Sequence, residues 1–354
     1  MRKHGALALG CALLAAGLLQ AGTAAAQTVK TPNVSQKASV SQTIGLTDIT
    51  IVYHRPLVNG RTIWGGLEPY DQVWRAGANE NTTIAFTTDV TIDGQPLPAG
   101  TYGLHMIPSQ DQWTVIFSKD HLSWGSYFYD QAEDALRVTV KPAAAEHHEA
   151  LTYEFMDPKP DSVVAALKWD KIAVPFKIGV DTKNTVLASI KQDLQSLSGF
   201  AWDGFASAAA WAVQNDVNLD EALTWADRSI QIEERFENLQ TKSQLLAKLG
   251  KDAESAQVMA SALERGNAGQ IHNYGRQLLA EGKKQEALAI FQKNAEKNPD
   301  AWFVGAGLAR AQAAVGDFDA AVVNMKKALA KAPEPQKAQI QALVQRLEKK
   351  ENIN

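Results

Sequence analysis

At Asp181 the hydrophobic pattern of this chain changes period, and that change limits the fold more than any other feature. Upstream, from about Ala38 to Val180, apolar and polar residues alternate, so each segment offers one face to a core and one to water, as strands do. The alternating segments are Ala38–Gln42, Asp48–Tyr53, Thr82–Thr87, Val90–Ile92, Thr101–Ile107, Gln112–Phe117, Leu136–Val140, Ala150–Phe155, Ser162–Lys168 and Ile172–Ile178. Asp93-Gly94, Pro98-Ala99-Gly100 and Ser109-Gln110-Asp111 join them with turn chemistry. Some ten short strands with no helix between them predict an antiparallel β-sandwich over 38–180.

Downstream of a linker near Asp181–Asn184, alternation stops and alanine and leucine recur at helical spacing over 185–350. The segment also repeats itself. Gly282 and Gly316 stand 34 residues apart, as do Ala287 and Ala321, and Pro299 and Pro333. Each glycine is placed to end the first helix of a pair, and each alanine to let two helices approach closely. Tyr274-Gly275, Leu278, Gly282, Ala287, Phe291 and Pro299 resemble the tetratricopeptide pattern. The resemblance covers about residues 200–335, with two clear repeats and two degenerate ones. Leu308-Ala309 stands for Tyr-Gly in the second, where Met325 stands for Phe. Pro335–Lys350 reads as a polar-faced capping helix, so the second domain is expected to be an α-solenoid.

The first 26 residues read as a secretory signal peptide: basic Arg2, Lys3 and His4, an apolar run from Ala6 to Leu19, and Ala24-Ala25-Ala26 as cleavage site. A lipoprotein signal on Cys11 is the alternative, but that cysteine comes early and Ala8 is small where a bulky apolar residue is wanted. The expectation is a periplasmic or secreted protein, with residues 27–37 a flexible lead-in and no membrane span. Cys11 is the sole cysteine, so the mature chain has no disulfide and no thiol chemistry. Without Arg2 and Lys3, 33 basic residues face 39 acidic ones; a mildly acidic surface argues against nucleic acid as partner.

The densest unusual chemistry lies in Tyr53–Glu80, where three arginines and two tryptophans sit among glycines. Arg55, Arg61 and Arg75 carry planar paired donors suited to a carboxylate, phosphate or sugar acid. Tyr53, Tyr70, Trp64 and Trp74 offer flat apolar walls, Asn79 and Glu80 add acceptors, and Gly65-Gly66 and Gly77 allow close backbone approach. The opposing reading is a structural clamp, with the same side chains satisfying loop carbonyls, an Arg75–Glu80 bond pinning the loop and Trp74 plugging the sandwich end.

Tyr53-x-Arg55-Pro56, Gly60-Arg61, Pro69-Tyr70, Val73-Trp74-Arg75-x-Gly77-Ala78-Asn79-Glu80-x-Thr82, Leu97-Pro98-Ala99-Gly100-Thr101-Tyr102 and Trp113-Thr114-Val115-Ile116-Phe117 together resemble the bacterial domain of unknown function 2911. The resemblance spans about residues 35–180. It implies the domain and its compartment and carries no activity. His54 departs from that pattern, in which a small residue is common at this position.

Other positions read as structural. His105 is expected half-buried on its strand. His121, Trp124 and Tyr127-Phe128-Tyr129 suggest a packed loop rather than a sugar platform. His147-His148 reads as a solvated turn, and Asp157 and Asp161 flank a rigid Pro158-Lys159-Pro160 turn. Trp202, Trp211, Trp225 and Trp302 have core spacing, while Asn273, Arg276 and Arg310 are placed to line a concave protein-binding groove. No nucleophile, metal or phosphate-loop motif is present, so no catalytic residue, metal or cofactor is assigned. The leading expectation is an exported non-enzymatic binding or scaffold protein, with a protein or peptide partner on the repeats and an anionic small molecule or glycan at the β domain. A hydrolase of an envelope glycan or peptide with Glu80 as acid or base, and a purely structural domain, are the alternatives.

Overall fold

The computed structural model describes residues 31–354. Residues 1–26, expected to be a signal peptide, lie outside the described residues, as does the start of the lead-in; Gln36 and Lys37 already belong to a strand. Among the described residues ten strands form two antiparallel sheets. One has six strands in the order β1 (Gln36–Ile44), β2 (Thr47–Arg55), β3 (Thr83–Phe86), β6 (Gly100–Ile107), β7 (Trp113–Ser118) and β8 (Asp134–Val140). The other is ordered β5 (Gln95–Leu97), β4 (Val90–Ile92), β10 (Ser162–Gly179), β9 (Ala143–Lys159). Alternation drives the packing: along β2, Ile49, Ile51 and Tyr53 point inward while Asp48 faces water. Inward residues of both sheets, among them Ile84, Phe117, Trp113, Trp169 and Phe176, make one continuous core.

Three strands differ from the sequence reading. β10 is one strand where the pattern suggests two. The break at Asp170 is an irregularity with φ 51°, which twists the strand without ending it. β5 is an added strand, closed against β4 by Asp93 (φ 47°) and Gly94 (φ 84°). Pro96 hid it, and an edge position is where a strand tolerates proline. His147 and His148 sit within β9 and not in a turn, because β9 continues past the apolar residues that mark its buried half.

No loose linker separates the domains. β10 ends at Gly179, and α1 (Thr182–Asp193) starts at once, capped by Asp181, whose carboxylate accepts from the Asn184 amide at 3.1 Å. The Thr182 hydroxyl donates to the Pro160 carbonyl, and Gly45 (φ 59°) packs so tightly on Thr182 that no Cβ would fit.

Helix pairs follow: α2 (Trp202–Asn215) with α3 (Leu219–Ile232), α4 (Phe236–Lys248) with α5 (Asp252–Arg265), α6 (Ala268–Ala280) with α7 (Lys284–Lys297), and α8 (Trp302–Ala314) with α9 (Phe318–Lys331). α10 (Glu334–Glu348) covers the last pair. Gly250, Gly282 and Gly316 follow the first helices of three pairs with φ between 74° and 91°, the left-handed turn that glycine adopts without strain. Ala287 and Ala321 are fully buried where helices touch. Phe291 fills a slot roofed by Gly275 and Gly307, where a Cβ would approach its ring to 2.8 and 2.4 Å. The 34-residue repetition of paired antiparallel helices is the tetratricopeptide architecture. Trp225 is core, whereas Trp202, Trp211 and Trp302 are half-buried. Among the described residues no helix is long and apolar enough to cross a membrane.

Candidate functional site

The Tyr53–Glu80 stretch leaves β2, crosses the end of the sandwich and returns at β3. Isolated ladder contacts pin it at Leu57–Ala150, Trp64–Glu68 and Trp74–Met106. Trp74 and Trp64 do plug the sandwich end: with Trp113 and Trp169 they form a four-indole cluster, Trp64 meeting the other three edge-on at 4.7 to 5.7 Å. Trp74 stacks on Trp169 at 5.8 Å.

The three arginines reach this protein's own backbone. Arg55 donates to the Leu151 carbonyl (2.9 Å) and the Thr152 hydroxyl (2.8 Å), tying one sheet to the other. Arg61 closes its own turn on the carbonyls of Val58 and Leu57. Arg75 donates to the Asn79 carbonyl, packs against Gly125 and lies over the Tyr127 ring at 5.3 Å. The expected Arg75–Glu80 bond is replaced. Glu80, half exposed, pairs instead with His54 Nε2 at 3.2 Å, and burial lowers the His54 pKa against that attraction. Tyr53 is buried edge-on against Tyr153 at 4.8 Å, the Asn79 amide donates to Ser35, and Tyr70 lies on Gly65.

The anionic group within electrostatic reach of Arg61 and Arg75 is Glu68, which the sequence did not single out. Burial raises its carboxyl from 4.5 to about 7, with Arg75 and Arg61 opposing the rise. A carboxylate inside a loop of arginines and indoles leaves no periodic signal; the Glu68-Pro69 step in the densest stretch is the only hint in the sequence.

His105 is fully buried rather than half-buried, because β6 is covered on both faces: by the core and by the loop 119–131. Its Nδ1 meets the Ser126 hydroxyl at 2.8 Å, and Tyr129 packs on its ring at 5.3 Å. A serine beside a histidine resembles a nucleophile and base, but burial lowers this imidazole to about 4, too weak a base to activate a hydroxyl at neutral pH. The pair is better placed to fix the loop, as are Tyr129 and Arg137 on Asp134 and Ser123 on Asp120. The loop so fixed turns its apolar side chains outward. Leu122, Trp124, Tyr127 and Phe128 are exposed, Tyr127 to 75%. This corrects the packed-loop reading: the core is already closed by the four indoles, leaving these rings nothing to pack on. His147 bridges Glu149 (3.1 Å) and Asp170 (3.2 Å) on the exposed face of β9 and β10.

On the helical side, residues of α2, α4, α5, α6 and the start of α7 enclose a trough of about 770 Å³. Val213, Met259 and Leu278 give it an apolar floor, and Gln214, Gln240, Gln244 and Gln277 line it with amides. Gln240 and Gln277 face each other at 3.4 Å, and Gln277 donates to Glu281 at 2.8 Å. Of the predicted groove residues, Asn273 and Arg276 are exposed on α6, while Arg310 on α8 is half-buried and bound by residues 351–354. The glutamines went unnoticed in the sequence because amides on a helix surface carry no spacing signal.

No curated protein matches the chain. Solved structures similar to its helical part include YrrB, described as a TPR protein with an unusual peptide-binding site, at 19% identity over 45% of this chain and 83% of that one, with a TM-score of 0.28. MamA (MSR-1) is 17% identical over 42% of this chain and 85% of its own, with a TM-score of 0.27. A tetratricopeptide repeat protein from Parabacteroides merdae ATCC 43184 is 15% identical over 42% and 60%, with a TM-score of 0.30. Residues 35–178 match the model of the family described as Protein of unknown function (DUF2911), so the chain joins a β domain similar to that family to tetratricopeptide-like helical repeats.

Proposed function

We propose that this is an exported, non-enzymatic binding protein whose helical repeats hold an extended segment of a partner protein in the trough between α4 and α6. The observation that carries the reading is the trough itself, with an apolar floor and four glutamines on its walls. Amides both donate and accept, so they can pair with the alternating N–H and C=O groups of an extended peptide whatever its side chains. Export is supported by the sequence of residues 1–26. The test is selection of a displayed peptide library on the protein lacking residues 1–26, counter-selected on Gln244→Trp, which fills the trough. Peptides that bind both proteins equally count against it.

A second reading concerns the β domain, where we place a glycan or a small anionic molecule. Its support is the set of exposed rings on one loop, Trp124, Tyr127 and Phe128, of which Tyr127 lies under Arg75. Thermal-shift screening with sugars and sugar acids, repeated on Trp124→Ala, tests it; a shift that survives the substitution removes the support. The hydrolase alternative gains nothing from the geometry, since Glu80 is half exposed and paired to His54, and the arginines end on carbonyls.

A further inference from the structure

The far end of the concave face carries a second feature that the trough does not account for. Arg276 on α6 and Arg310 on α8 stand 34 residues apart, at equivalent places in consecutive repeats. Arg310 is half-buried with Arg276 and Arg346 within its electrostatic reach, and among the described residues it makes no salt bridge to a carboxylate, its side chain ending on the Ile353 carbonyl. A guanidinium desolvated among like charges, without a counter-ion, is the arrangement of a site that takes an acceptor from elsewhere.

What reaches it is the chain's own segment Glu351–Asn354. After α10, Lys350 takes φ 56°, a left-handed turn at the place where glycine stands in the two preceding repeats, and the chain doubles back. Arg310 donates to the Ile353 carbonyl and Arg346 to the Asn352 carbonyl at 2.6 Å. Arg346 pairs with the Glu351 carboxylate at 3.2 Å, and the Asn354 amide donates back to the Arg310 carbonyl at 3.1 Å. The Ile353 side chain is 5% exposed, seated in the apolar cluster that includes Ala309, Ile340, Val344 and Leu347.

We propose that the α8–α10 end of the concave face is a docking site for an extended partner peptide bearing a carboxylate two residues before a branched aliphatic side chain, and that Glu351–Asn354 occupies it as a tethered mimic. Each contact fits that role. Two arginines grip main-chain carbonyls, which any peptide supplies. Arg346 selects the acid, and the notch selects the aliphatic side chain. The occupying segment has no regular structure of its own, so it is held by the site and not by a helix or strand. A tethered occupant acts at roughly millimolar effective concentration, so an outside peptide must displace it. The site is separate from the trough.

The experiment titrates a fluorescein-labelled peptide Lys-Lys-Glu-Asn-Ile-Asn, followed by polarisation, into five proteins: the intact chain, the chain lacking residues 351–354, full-length Ile353→Asp, the deletion combined with Arg310→Ala, and the deletion combined with Gln244→Trp. Binding at least tenfold tighter to the deletion and to Ile353→Asp than to the intact chain is expected. A loss of at least fivefold on adding Arg310→Ala, or on replacing the peptide's Glu by Gln, is also expected. Gln244→Trp leaves this binding unchanged, which separates it from the trough reading. Equal or absent binding to intact and opened proteins overturns the proposal. So does failure of both opened variants to fold by circular dichroism, which would make the segment a structural plug.

Discussion

Replacing Glu68 by Gln isolates a half-buried carboxyl of the β domain whose protonation the fold controls. Its pKa rises from 4.5 to about 7 because burial outweighs the attraction of Arg75 and Arg61. The folded protein therefore keeps a proton that the unfolded chain has released. Between pH 4.5 and 7 the folded state binds more protons, so this group's stabilising contribution is complete below pH 4.5 and is lost as pH rises towards 7. A rise of about 2.5 pH units at about 1.36 kcal/mol each gives a loss on the order of 3 kcal/mol by pH 8. A glutamine side chain matches the protonated acid in shape and never ionises. The Glu68→Gln variant and the parent should be equally stable at pH 4.5, and the variant more stable by up to about 3 kcal/mol at pH 8. Urea unfolding at half-unit pH steps, read by near-ultraviolet circular dichroism of the four-tryptophan cluster, measures the difference. A variant less stable than the parent at pH 8 would refute the reasoning, since it would mean an ionised Glu68 stabilised by its arginines.

On the acid side His105 should act in the opposite sense: held neutral down to about 4, it costs stability as pH falls from 6.5 to 4. His105→Phe should flatten that limb by about 3 kcal/mol in the same titration. Gly307→Ala should lower the melting temperature of the helical domain, at a cost of about 1–3 kcal/mol, because the new methyl would lie 2.4 Å from the buried Phe291 ring. Arg55→Ala should destabilise the β domain by about 1–3 kcal/mol in urea, through loss of the charged bonds to Leu151 and Thr152. N-terminal sequencing of the protein expressed with its leader should begin at Gln27 and come from the periplasmic or extracellular fraction; an uncleaved cytoplasmic chain would contradict export.

Legibility followed periodicity. Strands with one wet face, such as β2, and helices carrying the 34-residue register, such as α6 and α7, declare themselves through side chains that alternate or recur. What broke those rules was missed: β5, with proline at a sheet edge, and the passage through Asp170, where a local irregularity passes for a strand end. The arginines were legible as unusual but not in their targets. Whether a guanidinium meets a ligand or the carbonyl of Leu151, nearly a hundred residues away, depends on tertiary pairing that no local pattern encodes. Glu68 was hidden for a related reason, because its chemistry comes from burial and not from its neighbours in sequence. The aromatic loop was misjudged because hydrophobic residues are read as buried by default, and here four indoles had already closed the core.

The most direct test of the account is isothermal titration of a library-selected peptide against the intact protein, Gln244→Trp and Arg75→Ala. The peptide should bind the intact protein and Arg75→Ala with equal affinity and lose at least tenfold, about 1.4 kcal/mol, on Gln244→Trp. Unchanged binding to Gln244→Trp would place the partner outside the trough, affinity that falls with Arg75→Ala would place it on the β domain, and either would contradict the account.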